Sequence, residues 1–352
     1  MVRSEDSDGI RFGVWTPLPH TIAPEPRMEA AIERLGTPGF EGAPDLSFEF
    51  ACEAVTMAEA AGFATTLVAE RYLGPDLEAL TLGAALAART TSIEILVAAH
   101  PGVIPPQVVA KMAISIDRIS GGRCALNIVN GWWADEFALF SNGGALDGDG
   151  ERYQRMREYI EVIAGLTSGK PVHYDGHFYR AHVENFPMRP ARSHIPLYAA
   201  SRALEGRDIV AQTCDLWFVD YAPDHRKYEE NLDRITRDVQ DLNARAARAQ
   251  RTVASGISCH VICADDESVA HAAAERLLEH GARDRIAAVA AKGLGAGLIG
   301  DAELIVERML AYKAAGVTCF MLHFHPMIEG LTRFIDEVLP LLRSRGYNPK
   351  KS

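Results

Sequence analysis

Residues 93–137 read IEILVAAHPGVIPPQVVAKMAISIDRISGGRCALNIVNGWWADEF. Two near-continuous apolar runs, 93–98 and 124–129, flank an amphipathic segment at 106–119 and a Gly-Gly turn. A strand that offers almost nothing to solvent is buried on both faces, as parallel strands are when helices cover them. Strand, helix and strand in that order form a crossover, which restricts the chain to a parallel α/β architecture. Both runs stop abruptly in polar and aromatic residues. His100 and Pro101 follow the first, and Asn130, Gly131, Trp132 and Trp133 follow the second. The catalytic groups of an α/β barrel gather where its strands end.

The same rhythm runs through the whole chain. Strand patterns lie near 11–16, 64–69, 93–98, 123–129, 195–199, 215–219, 256–262 and 317–322. Helical patterns lie near 46–61, 77–89, 106–119, 152–166, 202–213, 224–248, 265–280, 301–315 and 328–344. Eight strands separated by helices predict a (β/α)8 TIM barrel with loop insertions, one domain over 1–352. An open doubly wound sheet is the alternative, but no GxGxxG follows a strand. Three stretches break the rhythm: 17–45, 168–194 and 281–300. Asp175-Gly176 between alternating segments predicts a small hairpin in the second. For the third, AAKGLGAGLIG, two readings stand: a mobile lid, or an ordered surface excursion.

Composition excludes several partners. Against 36 basic residues stand 47 acidic ones, a net charge of −11 with no basic block. That argues against nucleic acid and against an anionic membrane surface. No apolar run reaches 18 residues and the first ten residues are polar, so a cytoplasmic protein is expected. Cys52, Cys124, Cys214, Cys259, Cys263 and Cys319 show no CxxC spacing, which predicts reduced thiols rather than disulfides or zinc.

Three groups of residues are candidates for chemistry. After the strand near 195–199 come Ala200, Ser201 and Arg202, then a helix. A helix N-terminus with small residues, a hydroxyl and a guanidinium suits an anion; Ser201 as a plain N-cap is the other reading. His20, His100, His260, His323 and His325 fall at strand ends, where imidazoles would move protons near neutral pH. His323-Phe324-His325 also has a spacing that ligates zinc. Carboxylates are sparse beside it, so a metal-dependent barrel hydrolase ranks below the anion-binding reading and no metal ligand is assigned.

The order strand, AxxPG, helix, IDxISGGR, strand, NGW resembles the bacterial luciferase-like, flavin-dependent monooxygenases, and most closely their alkanesulfonate and dimethyl sulfone branch. The likeness runs from about residue 11 to about 343. It implies reduced FMN as co-substrate with O2, and a separate NAD(P)H-dependent flavin reductase that delivers FMNH2. The implied cofactor residues are Ala99, Asn130, Tyr153, Ala200, Ser201 and Arg202. The implied catalytic residues are His260, His325 and His20; Trp15, His100, Trp132 and His323 are assigned to substrate. The family carries Gly-Gly-Ser-Ser or similar where this chain has Ala-Ala-Ser-Arg. In relatives the strand end around Ala99 often holds a non-prolyl cis peptide. The resemblance implies a small organosulfur substrate such as a sulfone or sulfonate, or a heteroaromatic or halogenated one, with C–S, C–N or C–halogen cleavage; the arginine that would hold a sulfonate is replaced by Ser258, which favours the neutral compounds. It further implies a homodimer or homotetramer. Two related alternatives are an oxidoreductase that uses the deazaflavin F420 and a flavin-binding protein without turnover.

Overall fold

The computed structural model describes residues 9–17, 46–74, 76–130, 133–141, 148–283 and 285–349. His20, Trp132 and nearly all of the insertion 17–45 lie outside them. Eight parallel strands hydrogen-bond in a ladder that closes on itself. In chain order they are β1 (Arg11–Trp15), β2 (Thr65–Val68), β3 (Glu94–Ala99), β4 (Cys124–Ile128), β7 (Leu197–Ala200), β8 (Leu216–Phe218), β9 (Ala254–His260) and β12 (Cys319–His323). The ladder runs β1-β12-β9-β8-β7-β4-β3-β2. The predicted (β/α)8 TIM barrel is the observed fold.

The helices between them are α1 (Ser47–Ala61), α2 (Ala79–Arg89), α3 (Pro106–Ser120), α4 (Ala134–Phe140), α5 (Asp149–Thr167), α6 (Leu204–Thr213), α7 (Tyr228–Arg248), α8 (Glu267–Arg283), α9 (Arg285–Ala291), α10 (Ala302–Ala314), α11 (Met327–Arg333) and α12 (Leu339–Ser344). Two small pairs complete the described strands. β5 (Val172–Asp175) and β6 (Arg180–Val183) form the expected antiparallel hairpin, with Asp175 opposite Arg180. β10 (Ile262–Cys263) pairs in parallel with β11 (Ile299–Gly300).

The chain divides into two compact units. The first lies within Met1–Thr66, Tyr221–Val239 and Ser255–Ser352, the second within Leu67–Asp220 and Gln240–Ala254. In the second unit, β3 and β4 are buried at every residue and pair from Ile95 opposite Cys124 to Ala99 opposite Ile128. The turn between α3 and β4 shows what the ISGGR motif does. Gly121 and Gly122 both take positive φ, +73° and +100°, which only glycine adopts without strain. Arg123 then reaches back to the backbone oxygens of Ala87, Thr90 and Ile93, closing the C-terminal end of α2. The buried carboxylate of Asp117 accepts from the N–H of Cys124 and of Ala191. The motif is therefore an architectural joint.

In the first unit, β12 lies between β1 and β9. The register sets His323 directly opposite His260, each the last residue of its strand. Four features differ from the sequence expectation. α4 and α9 are one- to two-turn helices that carry no clear period. The strand expected at 256–262 is interrupted at Val261, after which β10 leaves the barrel ladder. The helix expected at 328–344 is interrupted by a π turn at Phe334–Val338. Pro340 follows that turn and has no N–H to give the preceding carbonyls, so the regular α ladder cannot pass through it. A fourth feature that the sequence does not announce is a cis peptide bond, which among the described residues is His325-Pro326. Residues 293–300 of the third excursion are buried throughout.

Candidate active site

The anion candidate belongs to the second unit. β7 delivers Ala199 and Ala200, and the chain turns through Ser201 and Arg202 into α6. The residue before the first helical turn is Ala203, which has no side chain to cap the free N–H groups. Ser201 is therefore not the N-cap. Its buried hydroxyl donates to the Ala203 carbonyl at 3.3 Å. An uncapped helix start keeps its orphan N–H donors and the positive dipole end available to an anion. Around it the packing is tight. A Cβ on Gly206, in the first turn of α6, would fall onto Ser201 Oγ and come within 2.6 Å of the Tyr153 ring. Tyr153, on α5, is thus held against the Ser201 turn.

Two residues that carry no signal in the sequence brace this turn. Trp217 of β8 is fully buried, and its Nε1–H donates to the Ser201 carbonyl at 3.2 Å. The guanidinium of Arg207 lies 4.7 Å from the Trp217 ring and bonds Asp241 at 2.8 Å. Arg202 is 67% exposed and its Nε meets Asp220 at 2.8 Å. A phosphate there would share that guanidinium with a carboxylate. Asn130, two residues past β4, has an amide nitrogen that is buried without a hydrogen-bond partner among the described residues. Ala99 closes β3, and its carbonyl accepts from the N–H of Val129 at 2.9 Å.

A second group in the same unit follows β2 and β3. Glu70 accepts from the N–H of Arg71 and of Ala79, both at 2.8 Å. Glu136 accepts from the N–H of Leu73 at 3.1 Å. His100 is buried, with the Tyr72 ring edge-on at 5.4 Å. Burial, with the nearby positive charge of Arg71 adding to it, pushes His100 down to about 3. In the chain this group is only the run Glu70-Arg71-Tyr72, with no period or spacing to mark it.

Asp76 in this group sets a pH dependence. Burial holds its carboxyl up to about 6, partly opposed by Arg71. The folded chain thus keeps a proton that the unfolded chain releases at lower pH, so Asp76 costs stability as pH rises through about 6. Buried His100 acts with the opposite sign, since only the unfolded chain takes up its proton as pH falls through about 6.5. We expect the Tm of Asp76→Asn relative to the parent to be higher at about pH 8 than at about pH 5. A difference independent of pH would show that Asp76 titrates normally.

His260, His323 and His325 belong to the first unit. His260 is 0% exposed, and both ring nitrogens lack a hydrogen-bond partner among the described residues. Its ring stacks on His323 at 5.9 Å, and His323 stacks on Trp15 at 4.0 Å. Trp15 is fixed in turn, because its Nε1–H donates to Ser258 Oγ at 2.9 Å. Tyr221 donates to the Ser258 carbonyl. Ser258 therefore anchors the aromatic ladder. Burial, with His325 adding to it, pushes His260 down to about 3, and burial also lowers His325. His260 is a neutral imidazole, able to give a proton from one nitrogen and take one at the other. Among the described residues no three His, Cys, Asp or Glu side chains gather as a metal site.

A closed parallel barrel whose strand ends carry, among the described residues, an imidazole and an amide without hydrogen-bond partners and an uncapped helix start defines an α/β-barrel enzyme. The chain belongs to the family described as luciferase-like monooxygenase, whose sequence profile matches residues 28–319. It is 29% identical over 335 residues to an FMNH2-dependent dimethylsulfone monooxygenase of Pseudomonas fluorescens, covering 85% of this chain and 88% of the relative. A Pseudomonas putida protein of the same description is 28% identical over 321 residues, covering 82% and 86%. In fold it matches DmoA from Hyphomicrobium sulfonivorans with a TM-score of 0.75 at 16% identity, covering 98% and 90%.

Proposed function

We propose that this chain is an FMNH2- and O2-dependent monooxygenase that oxidises a small organosulfur compound of the sulfone class, with C–S cleavage. The relatives' dependence on FMNH2 supports the cofactor. The observation that carries the reading is His260, neutral and fully buried at a barrel strand end, with both nitrogens lacking a hydrogen-bond partner among the described residues.

FMN fits the donors present. The N–H groups opening α6, the Ser201 hydroxyl, Tyr153 and Arg202 would hold its phosphate, with Ala200 leaving room for it. Asn130 would give its unpartnered amide to the pyrimidine edge. Ala99 would support the ring system. Reduced FMN, when bound, supplies the electrons with which O2 is activated. The protein's part is to orient, to exclude water and to manage protons. His260 would hold a proton at one nitrogen and receive one at the other, with His325 and His20 as further proton carriers. Trp15, His100, Trp132 and His323 would contact substrate.

A separate NAD(P)H-dependent flavin reductase would deliver FMNH2, since no nicotinamide fingerprint is present in the sequence. The whole of 1–352 would act as one luciferase-like domain, cytoplasmic, in a homodimer or homotetramer. The test is a titration with FMN, FMNH2 and F420, followed by turnover of dimethyl sulfone with a flavin reductase. Tighter binding of FMNH2 than of FMN is expected, with product only when the reductase is present. Preference for F420, or equal turnover with NADPH alone, would overturn the two-component reading.

A further inference from the structure

The residues that follow β2 hold more charge than flavin binding uses. Arg71 is 5% exposed, and its charged neighbours are Asp76, Glu136 and Glu70. Two of these carboxylates are committed to backbone N–H groups: Glu70 to Arg71 and Ala79, and Glu136 to Leu73. Asp76 is not. Both its oxygens are buried and have no hydrogen-bond partner among the described residues. The same holds for Nε2 of His100, which is 3% exposed and sits at the end of β3, the strand beside β2 in the ladder. Buried polar atoms left unpaired are costly, and at a barrel strand end a ligand is what pairs them.

We propose that Asp76 and His100 recognise the polar group of a small uncharged substrate, and that the acidic surplus around Arg71 excludes organic anions such as sulfonates. This names the substrate class within the monooxygenase reading and rests on it. One guanidinium against three carboxylates leaves the group anionic when all are ionised. Burial holds Glu70 up to about 7 and Asp76 up to about 6, so at neutrality Glu70 is partly protonated and Asp76 largely ionised, and both take up protons as pH falls below it. Even then a single carboxylate balances Arg71 and the group is no better than neutral. At no pH near neutrality does an incoming anion find the net positive charge that would offset its desolvation. A sulfone suits the atoms available. It offers two acceptor oxygens and no donor, matching the N–H of neutral His100 in its Nε2 tautomer and an O–H on Asp76 in its protonated form, which an acceptor ligand favours.

Dimethyl sulfone and methanesulfonate differ in little except charge, which makes them the probes. Calorimetry on the full-length protein gives Kd for each, and turnover with a flavin reductase gives kcat/KM for each. The parent should favour the sulfone by at least about two decades in both. Asp76→Asn should narrow that ratio at least about tenfold, chiefly by admitting the sulfonate. His100→Ala should raise KM for the sulfone while FMNH2 affinity stays at the parent value. Asp76→Ser replaces Asp76→Asn if the amide prevents folding, as judged by melting temperature. Equal use of the two compounds by the parent, binding of neither, or an unchanged ratio in a folded Asp76 variant overturns the inference. Preferential binding of the sulfone without product would support it and sink the monooxygenase reading. Product from both compounds alike would do the reverse.

Discussion

His260→Ala is expected to lose product formation by about two to four decades in rate, the usual contribution of a positioned acid–base group. It should bind FMNH2 as the parent does and release more H2O2 for each FMNH2 consumed. The reason lies in the first unit. An imidazole fully buried, with neither nitrogen hydrogen-bonded among the described residues, carries a desolvation cost that packing alone does not return. Its neutrality is enforced by burial and by the neighbouring His325. The stack on His323 and Trp15 holds the ring in place without using either nitrogen. The competing account makes His260 a packing residue that ties β9 to β12. In that case the alanine variant would melt lower and lose flavin together with activity. Melting temperature, FMNH2 affinity and peroxide yield on one preparation separate the two. A variant that melts normally and turns over at the parent rate would move the assignment to His325 or His20.

Gly206→Ala is expected to weaken FMN binding by about one to two decades in Kd, although alanine is the better helix former. By helix propensity alone the substitution would stabilise by about 0.5–1 kcal/mol. Here the new methyl falls onto Ser201 Oγ and lies 2.6 Å from the Tyr153 ring. Ser201 cannot move away freely, because Trp217 holds its carbonyl and Arg207 packs against Trp217. Overpacking of this kind costs about 1–3 kcal/mol, and it would fall on the turn assigned to the phosphate. Fluorescence titration of FMN into the variant is the measurement, with Tm recorded beside it. Parent-like affinity in a folded Gly206→Ala protein would take Ser201 and Tyr153 out of the phosphate site.

Much of the barrel is legible in the chain of amino acids. All eight of its strands fall within two residues of where apolar runs place them, because parallel strands covered on both faces leave few positions for polar side chains. The Asp-Gly hairpin is readable from turn chemistry, and the Gly-Gly turn after α3 from its two consecutive glycines. Ser201 and Asn130 can be picked out, since they follow strand ends that the apolar runs mark, whereas Tyr153 is named only through the family resemblance. The bracing residues cannot. Trp217 and Arg207 read as one apolar strand residue and one surface helix residue. Nothing local shows that the indole reaches back to Ser201, or that the guanidinium turns inward to Asp241.

Local patterns fix the order of strands and helices, the parallel class and the ends where chemistry collects. Those properties follow from burial periodicity and turn residues, which act over a few positions. Which of the marked residues meet is a matter of long-range packing. The ladder register sets His260 beside His323, Ser258 holds Trp15 against that pair, and Arg71 is enclosed among Glu70, Asp76 and Glu136. Most of these contacts join residues far apart in the chain. Their energies depend on burial and on which hydrogen bonds are left unmade, and neither quantity exists until the barrel has closed.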